Sequence, residues 1–349
     1  MGNMLPMMFW ISQVCVSSAK HPQKRRWLHG AAGATVILCA CADSAADRAS
    51  LEVPSAQASE AFATYWRDGL AEVSVYRLHQ PRYGEVREGE AVWVTVTEPF
   101  DPTRLVKRDT TEMPYVEVLK LNDMRTFQTG VYDYSTMSST FVPVAKRTPL
   151  KISASVQEWC GHIYEEVRWD GDRAHRELNS YFENEQERSQ TWTQPTNGWT
   201  EDAFPLIMRR SDGSAALAPG EIRQIQWLPS RVGARLRGDD GSWRPAVLRR
   251  AASSRMHPTP EGATAIDEWS VEMNEGTHRW FVEASWPHGV VGWERTDGER
   301  GERVATQRLD YWSKQSLDNA SLRAPLRRSE QKEEQANEAS NNTPPEAPE

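Results

Sequence analysis

The chain has 349 residues, with 41 Lys and Arg against 49 Asp and Glu and a formal net charge of −8. That length holds one large domain or two small ones, and the acidic balance argues against nucleic acid and against an anionic membrane surface as bulk electrostatic partners. No G-x-S-x-G, H-E-x-x-H, G-x-x-x-x-G-K-[ST] or C-x-x-C occurs among the residues, so no standard catalytic or metal signature is present and no cofactor is implied.

The first forty residues read as an export signal. A basic patch (Lys24, Arg25, Arg26) precedes a short apolar run from Ala31 to Cys39, too short to span a bilayer, which needs about 20 residues. Met7 or Met8 is an alternative start, and Arg25-Arg26-Trp27-Leu28 has a twin-arginine flavour. Leu38-Cys39-Ala40-Cys41 then resembles the bacterial lipoprotein box. The resemblance implies cleavage before Cys41, a diacylglycerol on its thioether and an acylated new amino terminus. The chain is then a lipid-anchored protein of the cell envelope. Ala42, rather than Asp, follows the lipidated Cys and leans toward the outer membrane. Loss of residues 1–40 removes four cations and no acid, leaving a charge of −12, and Cys160 becomes the one thiol without lipid, so no intrachain disulfide is expected.

Residues 41–60 are small and polar and read as a flexible tether. A helix is expected from Ser59 to Arg67, with Phe62, Tyr65 and Trp66 on one side. From there to residue 328 the apolar period is two. Strands are expected over 71–78, 91–98, 115–122, 125–134, 151–169 and 173–182, then over 222–228, 242–250, 265–273, 278–286, 289–294 and 302–311. Turn residues mark 87–89, 122–123, 170–172, 238–241, 274–276 and 296–298. The small and polar stretch 212–220 reads as either a hinge at a sub-boundary between halves or a long loop. No fixed repeat occurs, so the expected fold is all-β: one large curved antiparallel sheet, or an open or half barrel, with few short helices. The tail 329–349 has three prolines, no aromatic residue and a net charge of −5, and is expected to be disordered.

Two groups carry candidate chemistry. Thirteen tryptophans follow Cys41; filling the inside of a wide sheet is their plainer reading, and Trp93, Trp159 and Trp280 are the candidates to line an apolar ligand site instead. Glu158, Cys160 and His162 would share one strand face, a possible thiol–imidazole pair with a carboxylate. Their spacing of about 6.6 Å per two residues makes direct hydrogen bonding awkward without a bulge at Gly161. A polar structural cluster is the plainer reading. His79, His175, His257, His278 and His288 are scattered and read singly as solvated or structural. Asp170-Gly171-Asp172 begins like a calcium loop, but Tyr181 stands where its glutamate should be.

At Trp66-Arg67-Asp68-Gly69-Leu70-Ala71-Glu72, Arg82-Tyr83-Gly84-Glu85, Thr97-Glu98 and Gln157–His162 the chain resembles a group of uncharacterised bacterial lipoproteins. Some of that group carry the label septum formation inhibitor Maf, a name belonging to cytosolic nucleotide pyrophosphatases of α/β fold; an exported β-rich chain is incompatible with it. The resemblance implies a lipoprotein and transfers no catalytic residue. Three functions are therefore expected in turn: a carrier or binder of an apolar ligand, lipid or envelope partner; an envelope thiol hydrolase or transferase using Cys160 and His162; or a structural scaffold.

Overall fold

A computed structural model describes residues 56–327, apart from 113, 186–187, 211–216 and 261. The expected signal, Cys41, most of the tether and the tail lie outside the described residues. In chain order the elements are α1 (Ala56–Trp66), β1 (Ala71–Arg82), β2 (Glu85–Asp101), β3 (Val106–Lys107), β4 (Val116–Thr129), β5 (Tyr132–Pro143), β6 (Lys151–Glu158), β7 (Gly161–Asp170), β8 (Arg173–Ser180), β9 (Arg188–Thr193) and β10 (Gly198–Thr200). They continue with α2 (Phe204–Met208), β11 (Ile222–Leu228), α3 (Arg231–Arg237), β12 (Arg244–Arg250), β13 (Arg255–Thr259), β14 (Gly262–Met273), β15 (Gly276–Glu283), β16 (Val290–Arg295) and β17 (Arg300–Leu309).

All seventeen strands among the described residues join one open sheet, as the period-two pattern led us to expect. β1 is its hub, pairing with β2 on one edge and β17 on the other, so the first and last strands of the domain are neighbours. From β1 the ladder runs one way through β2, β4, β5, β6, β7 and β8 to β9, and the other way through β17, β16, β15, β14, β12 and β11 to β10. Every pair is antiparallel except β10 with β11. The two extreme strands, β9 and β10, are consecutive in sequence and joined by residues 194–197. The sheet therefore curls until its ends meet, without a hydrogen-bonded ladder between them. Side chains close the seam instead: Leu228 of β11 and Trp243 pack with Ile152, Trp169, Ala174 and Trp192 of β6 to β9. The Trp169 indole donates to Gln194 in the link at 2.8 Å.

The two-residue alternation decides which side chains turn inward. Tyr76 and Leu78 of β1 and Trp93 of β2 enter the main core, whereas Val73 and Val94 form a separate cluster on the opposite face. The inside is filled by the chain's own groups. Trp93 stacks on Trp293 with centroids 4.8 Å apart and planes 5° apart, and Tyr76 leans on both rings. Phe204 of α2 meets Trp199, Trp227, Trp269 and Trp280 edge-on. α2 is buried at every residue and shares this core with Val232 and Leu236 of α3. Gly301 in β17 is required by that packing, because a Cβ there would collide with the Trp293 ring.

Several expected turns are strands. Residues 87–89 lie within β2, and the β1–β2 turn is Tyr83-Gly84, both at positive φ. Asn122 and Asp123 lie within β4, where Asn122 accepts from Ser139 at 2.8 Å and Asp123 pairs with Arg125 at 2.9 Å. Their polar side chains find partners in the sheet, so they need not break it. Residues 238–241 are not a hairpin: Gly238 caps the C-terminus of α3 at φ 73°.

Candidate functional site

The Glu158–His162 segment is a hairpin turn rather than one strand. β6 ends at Glu158, β7 starts at Gly161, and Trp159-Cys160 form the tip. The alternation that would have put three side chains on one face is broken there. Gly161 is fixed by Tyr181, whose ring occupies the space a Cβ would need. Cys160 is exposed, and Glu158 accepts its backbone N–H at 2.7 Å. That carboxylate pushes the thiol pKa up, which favours the unreactive thiol. His162 is exposed, and among the described residues no hydrogen bond joins it to Cys160. The geometry does not assemble a thiol–imidazole pair.

The three candidate tryptophans part company as well. Trp93 and Trp280 are buried in the filled interior, and Trp159 is 71% exposed on the hairpin tip. A groove floored by inward tryptophans, expected for a carrier, is not formed: these rings pack on one another.

Sequence reasoning missed a buried ionic centre inside the curl. Glu201 sits at its middle. One oxygen takes Arg295 at 3.0 Å and faces His278 Nδ1 at 3.2 Å; the other accepts the Trp227 indole at 3.1 Å and the Ser230 N–H at 3.2 Å. Burial alone would raise the Glu201 pKa, but Arg295 and His278 outweigh it and hold the carboxyl well below the ordinary range. Glu299 accepts from Arg125 at 2.9 Å and from the Trp293 indole at 3.1 Å, and against burial the charges of Arg125 and Arg295 bring its pKa down to about 2. Burial lowers the His278 pKa to about 4, reinforced by Arg295. Burial raises Asp202 to about 6, although it accepts the Arg231 N–H at 3.0 Å. The partners are distant in sequence, so no local motif betrays them. Perturbed groups often mark active sites, but the hollow that Glu201, Asp202 and His278 line together holds about 30 Å³, room for one or two waters. The centre is a structural lock rather than a place for substrate. Among the described residues no group of His, Cys, Asp and Glu is arranged to hold a metal ion.

The space for a ligand lies on the outer face. A cleft of about 900 Å³ runs between the β13 end of the β13–β14 hairpin and the strands β15, β16, β17 and β1. Phe281, Val291, Val304 and Ala305 supply an apolar floor, and Arg77, Arg300 and Glu302 stand among the charged residues of its rim. The hairpin wall is latched by His257, stacked on Phe281 at 4.9 Å, and by Arg255 over the same ring at 5.2 Å. A second hollow of about 400 Å³ shares Thr259, Arg303 and Thr306 with the cleft and carries it on toward Tyr65 and Glu72. The size falls in the range of small-molecule sites. Nothing local in the sequence announces it, because its floor comes from three strands and its wall from a hairpin folded back over them.

No family model and no curated protein matches the chain. Among solved structures it is similar to a beta-barrel-like protein of domain of unknown function DUF1849 from Brucella abortus, with a TM-score of 0.41 and 7% identity over 68% of this chain and 97% of that one.

Proposed function

We propose that the chain is a lipid-anchored protein of the bacterial cell envelope that binds or carries an apolar ligand or lipid in the outer cleft. The anchor rests on the Leu38–Cys41 box. The ligand reading rests on one observation: the interior is filled, whereas the outer face keeps an apolar-floored cleft of about 900 Å³. The thiol-enzyme reading loses support, since Cys160 sits on an exposed turn beside a carboxylate that disfavours its thiolate.

Native mass spectrometry of the chain exported to a bacterial periplasm with Cys41→Ser tests the ligand. The expected result is added mass matching a fatty acid or phospholipid. Val304→Trp, a half-buried position on the floor, should fill the cleft and remove that mass while the fold persists. A clean apo mass in the parent protein sinks the carrier reading. The intact mass of the wild-type protein tests the anchor separately, by the presence of a diacylglycerol and a third acyl chain on Cys41.

A further inference from the structure

The tip of the β1–β2 hairpin carries a group of phenols that neither the ligand cleft nor the ionic centre uses. Arg82 ends β1, Tyr83 makes the turn, Tyr132 opens β5 and Tyr134 follows two residues later. The antiparallel register puts the start of β2 beside the end of β4, so the β1–β2 and β4–β5 turns stand at the same end of the strands. Three donors converge there on one oxygen. Tyr132 donates to the Tyr83 oxygen at 3.2 Å, Arg82 Nη2 donates to it at 3.2 Å, and Tyr134 Oη lies 2.8 Å from it. The Tyr134 oxygen takes Arg82 Nε at 3.3 Å and Nη2 at 3.0 Å, and its ring is buried and stacked on Phe127. Among the described residues the Tyr83 oxygen is the acceptor within reach of the Tyr134 proton. Keeping that buried proton paired makes Tyr134 the donor. A neutral phenol carries its own proton and two lone pairs; a phenolate has three lone pairs, one for each of these donors.

Arg82 supplies the charge. Its guanidinium lies 4.3 Å from the centre of the Tyr83 ring and 5.3 Å from that of Tyr134. Among the described residues its hydrogen bonds go to the two phenols and, at 2.6 Å, to the Leu236 carbonyl, and none goes to a carboxylate. Such a cation favours an anion beside it. Against partial burial, the bonds from Tyr132 and Tyr134 and then the Arg82 charge draw the Tyr83 pKa below that of an ordinary phenol. Burial pushes Tyr134 up. Tyr132 is pushed up too, first by its bond to Tyr83 and last by Glu158 of β6. Tyr83 is held but not hidden. It is 59% exposed, at φ 55°, a left-handed conformation that large side chains seldom adopt. Strain of this kind collects at functional positions.

We propose that Tyr83 is a nucleophilic modification site, an oxygen gripped by three donors yet open to solvent, which takes the acyl group of an activated acyl donor. The Tyr83 oxygen attacks the acyl carbon. Its electron pair forms the new O–C bond, and the bond to the leaving group breaks with its pair going to that group. Any proton still on the phenol passes to water. Four of the five Arg82 N–H groups are taken by the bonds above; the fifth, on Nη1, is left for the charge that develops on the acyl oxygen. The site needs neither the lipid anchor nor the outer cleft.

The test treats the exported Cys41→Ser chain with limiting N-acetylimidazole at neutral pH and maps the acetylated tyrosines by peptide mass spectrometry. Tyr181 is the internal control, being 70% exposed. Tyr83 should react about tenfold faster than Tyr181, the excess of phenolate that one pKa unit provides, and hydroxylamine should remove the added acetyl group. Arg82→Gln and Tyr134→Phe should each bring Tyr83 down to the rate of Tyr181. Tyr132→Phe removes a donor from a half-exposed ring and should slow Tyr83 even if the other two variants fail to fold. A second readout is the ultraviolet absorbance of phenolate: a pH titration of the parent should show one tyrosine ionising before the rest, and Tyr83→Phe should remove that step. A folded parent in which Tyr83 reacts no faster than Tyr181 overturns the proposal. So does a folded Tyr132→Phe or Arg82→Gln whose Tyr83 reacts as fast as the parent's, or an early ionisation that survives Tyr83→Phe.

Discussion

Asp202 and His278 are both buried within the ionic centre but are pushed in opposite directions. Asp202 titrates near 6 in the fold against about 3.9 in an unfolded chain. Between those values the folded state holds a proton the unfolded state has released, so stability from this group falls as pH rises from about 4 to 6. His278 titrates near 4 against about 6.5 unfolded. Here the unfolded state binds the extra proton, and stability rises with pH from about 4 to 6.5. The two slopes oppose each other, each worth up to about 3 kcal/mol at 1.36 kcal/mol per pKa unit. Removing one exposes the other. Urea unfolding at pH 4.5 and 6.5 should show Asp202→Asn gaining stability toward pH 6.5 more steeply than the parent. His278→Gln should shift the slope the other way. Parallel behaviour of parent and both variants would mean that neither group titrates as its burial demands.

At the scale of elements, the short helices do the work that a long hydrophobic strand pattern cannot reveal. α2 places Phe204 against four tryptophans at centroid distances of 4.8–6.0 Å, with no exposure at all. Phe204→Ala should therefore cost about 3–5 kcal/mol, read as a shift in urea midpoint, because the rigid rings around it cannot collapse into the gap. Neither α2 nor α3 was legible in the sequence. Phe204-Pro205-Leu206-Ile207-Met208 is apolar all round, so it has no helical period to detect. Arg231–Arg237 ends in Gly238, a turn residue that fits a hairpin as well as a helix cap. The strands were legible because alternation survives wherever one face is buried, as in Val92, Val94 and Val96 against Trp93. Their ends were less so. Polar residues such as Asn122 and Asp123 look like turns until the partners supplied by neighbouring strands are known. The site follows the same logic. Tryptophan abundance pointed to a filled core, but the cleft and the Glu201 centre join residues far apart in the chain, and only the sheet order brings them together.

On the scale of the whole molecule, chain ends and sheet ends are cross-connected. The strand order puts β17 against β1 over nine paired positions, while the 194–197 link and the Leu228–Trp169 seam tie β9 to β10 and β11. A break near 212–220, where a sub-boundary or a long loop was expected, would therefore cut across two interfaces rather than between two bodies. The first half would lose the partner strand along β1 and the ring of tryptophans from β11, β14, β15 and β16. The second half would lose α2, β10 and the floor of the core from β1, β2 and β4. Both would expose long hydrophobic strand edges. Residues 56–210 and 217–327 produced separately should thus give neither a cooperative unfolding transition nor dispersed tryptophan environments. Mixed in equal amounts they should recover both, because the contacts that define the fold run between them. A cooperative transition in either fragment alone would mean that the curled sheet is built from two autonomous halves, and that the seam and the β1–β17 ladder decorate the fold rather than hold it.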